Sequence, residues 1–157
     1  MSTLRINAIN NQDGVTKFYD GSPTVDFWRL TANFTSNATV TGWERPDEST
    51  AVGVSVNGLT ESSGIFTFPS TGIYHIFINT QMENGSGADG TMGMQIDTSV
   101  DGGSNFTLAA FMACGDSDTG TNNGSASQIM LNVTNASTTQ FKFLTSSINS
   151  GSFIHGQ

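Results

Sequence analysis

The sequence predicts an all-β fold, an antiparallel two-sheet sandwich, and three observations carry that prediction. Eighteen Gly and abundant Ser, Thr and Asn, against only 36% hydrophobic residues, indicate short strands joined by many turns. No window repeats apolar residues at i, i+3, i+4 and i+7 over the length a helix needs. The stretch Gly64 to Met82, GIFTFPSTGIYHIFINTQM, writes two strands and the corner between them. With 157 residues the chain is one domain by length and large enough to bury its own core.

In chain order, residues 1–21 read as an N-terminal arm or anchor and residues 22–157 as the domain. The arm has no core pattern beyond Leu4, Ile6 and Ile9, which are its anchor candidates, and Asn10-Asn11-Gln12-Asp13-Gly14 is a turn signal. Strand candidates follow at Val25–Asn33, Val52–Val56, Ile65–Phe68, Gly72–Met82, Met92–Val100, Phe106–Ala113, Ser127–Thr134 and Gln140–Thr145. Between the third and fourth, Pro69 removes a backbone donor and Ser70-Thr71-Gly72 supplies the corner. From Ile73 onward the period is two: Tyr74, Ile76, Ile78 and Met82 share one face, and His75, Asn79 and Gln81 the other, with Phe77 as its apolar exception. The same alternation groups Met92 with Met94 and Ile96, Leu108 with Ala110 and Met112, Ile129 with Leu131 and Val133, and Phe141 with Phe143. Trp28, Arg29 and Trp43-Glu44-Arg45-Pro46 are expected to pack and close the sandwich edge. Glu83–Gly90 and Gly115–Ser125, rich in Gly, Asp, Asn and Ser, read as loops. Eight strands suit a jelly roll.

The spacing Phe66-x-Phe68-Pro69-x-x-Gly72-x-Tyr74-x-x-Phe77 resembles the central strand signature of the complement-one-q and tumour necrosis factor jelly rolls. The resemblance reaches from about Val25 to Phe143. It implies that the phenylalanines and the tyrosine pack between two antiparallel sheets, while Pro69 and Gly72 shape the turn into the central strand. It implies a homotrimer whose core or threefold interface is drawn from Phe66, Phe68, Tyr74, Phe77, Phe141, Phe143 and Leu144; alternation does not separate core from interface, because both demand it. It also implies an aromatic and aliphatic closing strand in the middle of one sheet. Ser152-Phe153-Ile154-His155 is too short, and too close to Phe143, to fill that place. The expectation is therefore that the final strand is missing, and that the natural chain continues beyond Gln157 or a strand from elsewhere completes the sheet. An intact native species of 16.6 kDa would count against continuation.

The opening MSTLRINAIN looks like the leader of structural proteins of marine bacteriophages. That implies a virion protein, made in the host cytoplasm and displayed at the virion surface, with capsid or fibre proteins and a host-surface receptor as further partners.

Charge and chemistry narrow the function classes. Only 11% of residues are charged, so solubility rests on amides and hydroxyls. The net charge of -8 and the scattered Arg5, Lys17, Arg29, Arg45 and Lys142 disfavour nucleic acid, which needs clustered cations. No stretch has the length and apolarity of a membrane span. Cys114, the one cysteine, reads as a small buried hydrophobe. Catalysis needs an oriented base or paired carboxylates, and the chain offers only His75 mid-strand and His155 in the terminal tail, with no nucleophile elbow, phosphate loop or Cys/His metal spacing. The expectation is no enzyme and no cofactor. Asp116-x-Asp118-x-Gly120-x-Asn122 alternates oxygen ligands but has Thr121 and Ser127 where a calcium loop needs Gly and Glu, which leaves at most a weak surface calcium site.

Overall fold

The computed structural model describes residues 25–46, 58–85, 89–116 and 119–156. The arm with Leu4, Ile6 and Ile9 and the strand expected at Val52–Val56 lie outside them. Among the described residues there are ten strands and no helix: β1 (Arg29–Leu30), β2 (Trp43–Glu44), β3 (Thr60–Ser62), β4 (Ile65–Thr67), β5 (Gly72–Glu83), β6 (Asp89–Ser99), β7 (Thr107–Asp116), β8 (Asn122–Val133), β9 (Gln140–Ser146) and β10 (Phe153–Ile154).

The strands form an antiparallel jelly-roll sandwich. One sheet runs β3-β4-β9-β6-β7, the other β10-β5-β8, and β1 pairs with β2. In β5 and β8 twelve residues of each strand pair in unbroken register, from Gly72 opposite Val133 to Glu83 opposite Asn122. Alternation then sends Ile76, Ile78 and Met82 inward, where they are buried with Phe66, Met92, Met94, Ile96, Phe141 and Phe143. Residues 34–40 tie the two sheets together. Phe34 bridges Ile154, and Val40 donates its N–H to the Phe143 carbonyl at 2.9 Å.

Several expectations change on the structure. Of Val25–Asn33, Arg29–Leu30 is the part that forms a strand among the described residues, paired with β2. β3 is a polar strand with no apolar signal; it forms because Ser63 and Gly64 take φ of 55° and 82°, which builds the tight turn into β4. The loops expected at Glu83–Gly90 and Gly115–Ser125 are shorter, since β6 starts at Asp89, β7 runs to Asp116 and β8 starts at Asn122. Backbone pairing extends those strands through polar residues, which carry no hydrophobic period to read. The face shared by Leu108, Ala110 and Met112 is broken. Ile96 pairs with Ala110 but Asp97 with Leu108, so the bulged Ala109 turns Leu108 outward, 55% exposed, while Met112 stays buried.

The chain after Phe143 meets the expectation in part. Phe153 and Ile154 take up one end of the expected place, opposite Glu83 and Met82 of β5, where Ile154 is 1% exposed, but among the described residues no strand pairs with that edge of β5 over Gly72–Asn79. His155 is not in a free tail: its N–H bonds the Gln81 carbonyl at 2.9 Å. A compact turn around Gly151, at φ 86°, brings these residues back to the sheet within a few positions of β9, which makes the short return feasible.

Candidate functional site

The aromatic residues divide by side of the sheet. Phe66 is at the centre of the core: Trp28, Trp43, Phe141 and Phe143 lie with ring centroids 4.8–5.8 Å from it, mostly edge to face, with Phe141 stacked. Phe68 contacts Tyr74 and Phe141 at 4.6 and 5.5 Å, and the half-buried Tyr74 donates its hydroxyl to the Ser70 carbonyl, bracing the Pro69 corner. Phe66, Phe68, Tyr74, Phe141 and Phe143 are thus brought together as core. Leu144 is half-buried on the opposite side of β9, away from Phe141 and Phe143. Phe77 stands apart, 55% exposed on the outward face of β5.

That outward face is the first candidate surface. Ile73, Phe77 and Met130 project from β5 and β8 with more than half of their surface exposed. Met130 lies across from His75, and Phe77 across from Gln128, so the three apolar side chains alternate along one two-stranded strip. His75 pairs with Gln128 at 2.7 Å, a structural hydrogen bond within the strip. Phe77 is legible in the sequence as an apolar break in a polar face; Ile73 has the same parity but opens the strand, and Met130 hides between two inward-facing neighbours.

Beside this strip lies the second feature, a slot of about 690 Å³ between β5 and residues 26–30, floored by Phe66, Phe68, Phe141 and Phe143. An ion-pair network fixes its far wall. Arg45 grips Asp26 through two bonds of 3.0 and 3.1 Å, donates to the Leu59 carbonyl and stacks over Trp28 at 4.2 Å. Asp26 in turn accepts the Leu59 N–H at 2.6 Å. Trp28, Trp43 and Arg45 do close the edge, as the sequence suggests, and the slot opens between that edge and β5.

The titratable groups are arranged for structure. His155 reaches Asn122 at 2.7 Å and Glu83 at 3.2 Å, so it joins β10 to the β5–β8 ladder. Asp101 caps the β6–β7 turn: hydrogen bonds from the Asn105 side chain and backbone, then from Ser99, hold its carboxyl down at about 2. Among the described residues no group of three or more His, Cys, Asp or Glu is placed to hold a metal ion. The side chains of Asp116 and Asp118 lie outside the described residues.

Comparison with known proteins matches the fold. The chain is similar to the Eiger TNF structure from S. frugiperda, with a TM-score of 0.62 and 10% identity over 87% of this chain and 86% of that one. It is also similar to murine APRIL at pH 5.0, with a TM-score of 0.52 and 16% identity over 82% and 95%. No family model matches, and no curated protein matches. The likeness establishes an all-β, TNF-like jelly roll.

Proposed function

We propose that this chain is a non-enzymatic structural protein that works as a homotrimeric jelly roll displayed on the exterior of a phage virion, as a capsid decoration or head fibre. The observation that carries the trimer is the strip of Ile73, Phe77 and Met130, large apolar side chains exposed together on one face of the β5–β8 ladder. Such a strip is suited to burial against copies of itself about a threefold axis, which removes all three copies from water together. The jelly-roll likeness to tumour necrosis factor proteins supports that assembly, and the phage-like leader MSTLRINAIN supports the setting. In this reading the arm, with Leu4, Ile6 and Ile9, docks on a capsid or fibre protein, and trimerisation turns weak contacts into avidity.

A second reading, a tail-fibre tip or receptor-binding head, draws on Leu108 and Phe111, exposed on β7 at the edge of the other sheet. Light scattering decides the first reading. The wild-type protein is expected at three times its 16.6 kDa chain mass, and Phe77→Ser combined with Met130→Ser as a folded monomer. A wild-type monomer, or a trimer indifferent to both changes, refutes it. Deleting Met1–Asp20 is expected to spare folding and abolish virion incorporation; retained incorporation defeats the docking role of the arm.

A further inference from the structure

We infer that the slot beside β5 is a β-strand acceptor, which takes one extended segment of about eight residues from a partner polypeptide. The width of the slot is fixed where β10 already crosses it. There a single strand spans from Phe34, which exchanges two 2.9 Å hydrogen bonds with Ile154, to Met82 and Gln81 of β5. The walls are thus two strand spacings apart, about 9.6 Å, which admits one strand and no more. Past Gly156 the same gap continues between β5 and residues 26–30.

The edge of β5 is set to receive such a strand. The His155 N–H bonds the Gln81 carbonyl, so the backbone groups of Gln81 face β10. Antiparallel alternation then directs the N–H and C=O of Asn79, Phe77, His75 and Ile73 into the slot. Among the described residues no strand pairs with that edge over Gly72–Asn79. The far wall carries a matching deficiency: the indole N–H of Trp28 is buried without an acceptor.

The lining specifies the chemistry of the occupant. In the register that β10 begins, positions opposite Ile78, Ile76 and Tyr74 point onto Phe66, Phe68 and Phe141, so they are apolar. Positions opposite Asn79, Phe77, His75 and Ile73 point outward and are polar or β-branched. Inward charge is excluded, because the guanidinium groups of the wall are engaged, Arg29 with Glu44 and Arg45 with Asp26. The segment runs antiparallel to both walls, since Phe34 and β5 are each antiparallel to β10. Main-chain bonds on two sides would supply affinity and the three inward side chains selectivity.

The test uses the 157-residue protein and a fluorescein-labelled peptide, Thr-Phe-Thr-Val-Thr-Leu-Thr-Val, whose second, fourth and sixth residues match the inward positions. Saturable binding is expected, weakened at least tenfold when the third and fifth residues become proline, which removes two donors to β5. Asn79→Pro in the protein is expected to weaken binding by a similar factor with an unchanged melting temperature, because that N–H faces the slot and not β8. Register is read by disulfide formation between Phe77→Cys, in a Cys114→Ser background, and a peptide carrying cysteine at its third position, in preference to its sixth. The amides of Ile73, His75, Phe77 and Asn79 are expected to exchange quickly in the protein alone and at least tenfold more slowly with peptide. Equal binding of the proline peptide overturns the inference. So does protection of those four amides without peptide, which would mean that the chain's own residues fill the slot.

Discussion

Replacing Phe66 and Phe77 separately with alanine tests the division of aromatic residues between core and surface. Phe66 is 1% exposed and touches four other rings, so its removal leaves a cavity walled by Trp28, Trp43, Phe141 and Phe143, side chains too large and too mutually braced to close over it. Truncation of a buried Phe costs about 3–5 kcal/mol, and the stiffness of this site places Phe66→Ala at about 4–5. Total stability of a domain is about 5–15 kcal/mol, so that loss is near the limit of folding. Phe77 already has 55% of its surface in water, and its alanine variant should cost the single subunit under about 1 kcal/mol. The assay is urea unfolding followed by tryptophan fluorescence, since Trp28 and Trp43 pack on Phe66, with equal slopes in denaturant for both variants. Runs at several protein concentrations separate the subunit from the proposed trimer, because a loss at Phe77 that acts through assembly grows on dilution. Equal effects of the two changes, or a cost below about 2 kcal/mol for Phe66→Ala, would refute the placement of Phe66 at the centre of the core.

Three further outcomes follow from the geometry. Arg45→Ala leaves the Asp26 carboxylate, with its side chain only 6% exposed, without its ion partner, and should cost about 3 kcal/mol in a thermal or urea melt; Arg45→Lys, unable to form the two-pronged contact, should recover only part. Gly64→Ala demands φ of 82° from an L-residue and sets a Cβ 2.4 Å from the Val40 carbonyl oxygen, so a loss of at least about 2 kcal/mol is expected by the same measurement. Asp101, depressed to about 2 when folded, stabilises the β6–β7 turn above the ordinary carboxylate value near 3.8, and that contribution disappears as pH falls towards 2. The Asn105 amide resonance should shift across this window, and Asp101→Asn should remove the dependence.

The sequence made the centre of the molecule legible and left its margins dark, for a physical reason. Where one strand face is buried, the period of two is written in apolar residues, and Tyr74, Ile76, Ile78 and Met82 read correctly. Phe66-x-Phe68-Pro69 likewise marks a strand and its corner because proline and packed aromatics leave few alternatives. Polar pairing leaves no such mark: β3 and the first residues of β8 are held by backbone bonds that any residue but proline supplies. The bulge at Ala109 is invisible for the same reason, and it misplaces Leu108. The candidate site was half legible. Phe77 announced itself by breaking parity, whereas the slot arises between segments some fifty residues apart and depends on how Phe34 and Ile154 meet. The return of Phe153 and Ile154 to β5 was unreadable, since a two-residue strand has no period.

The bridge between Phe34 and Ile154 and the bonds from residues 38–40 to Phe143 and Thr145 also fix an order of events during synthesis. Residues 34–40 have their partners more than a hundred positions downstream, so Leu30, Phe34 and Val40 leave the ribosome long before anything exists to cover them. The β5–β8 ladder, itself separated by about forty residues of chain, must assemble across the intervening β6–β7 hairpin. Contacts of such sequence separation make folding slow, and until residues 140–154 are made the early segment offers apolar side chains and open edges to its neighbours on the same message. Crowded expression of this chain is therefore a contest between late closure and early association, and slowing initiation or lowering temperature should favour closure.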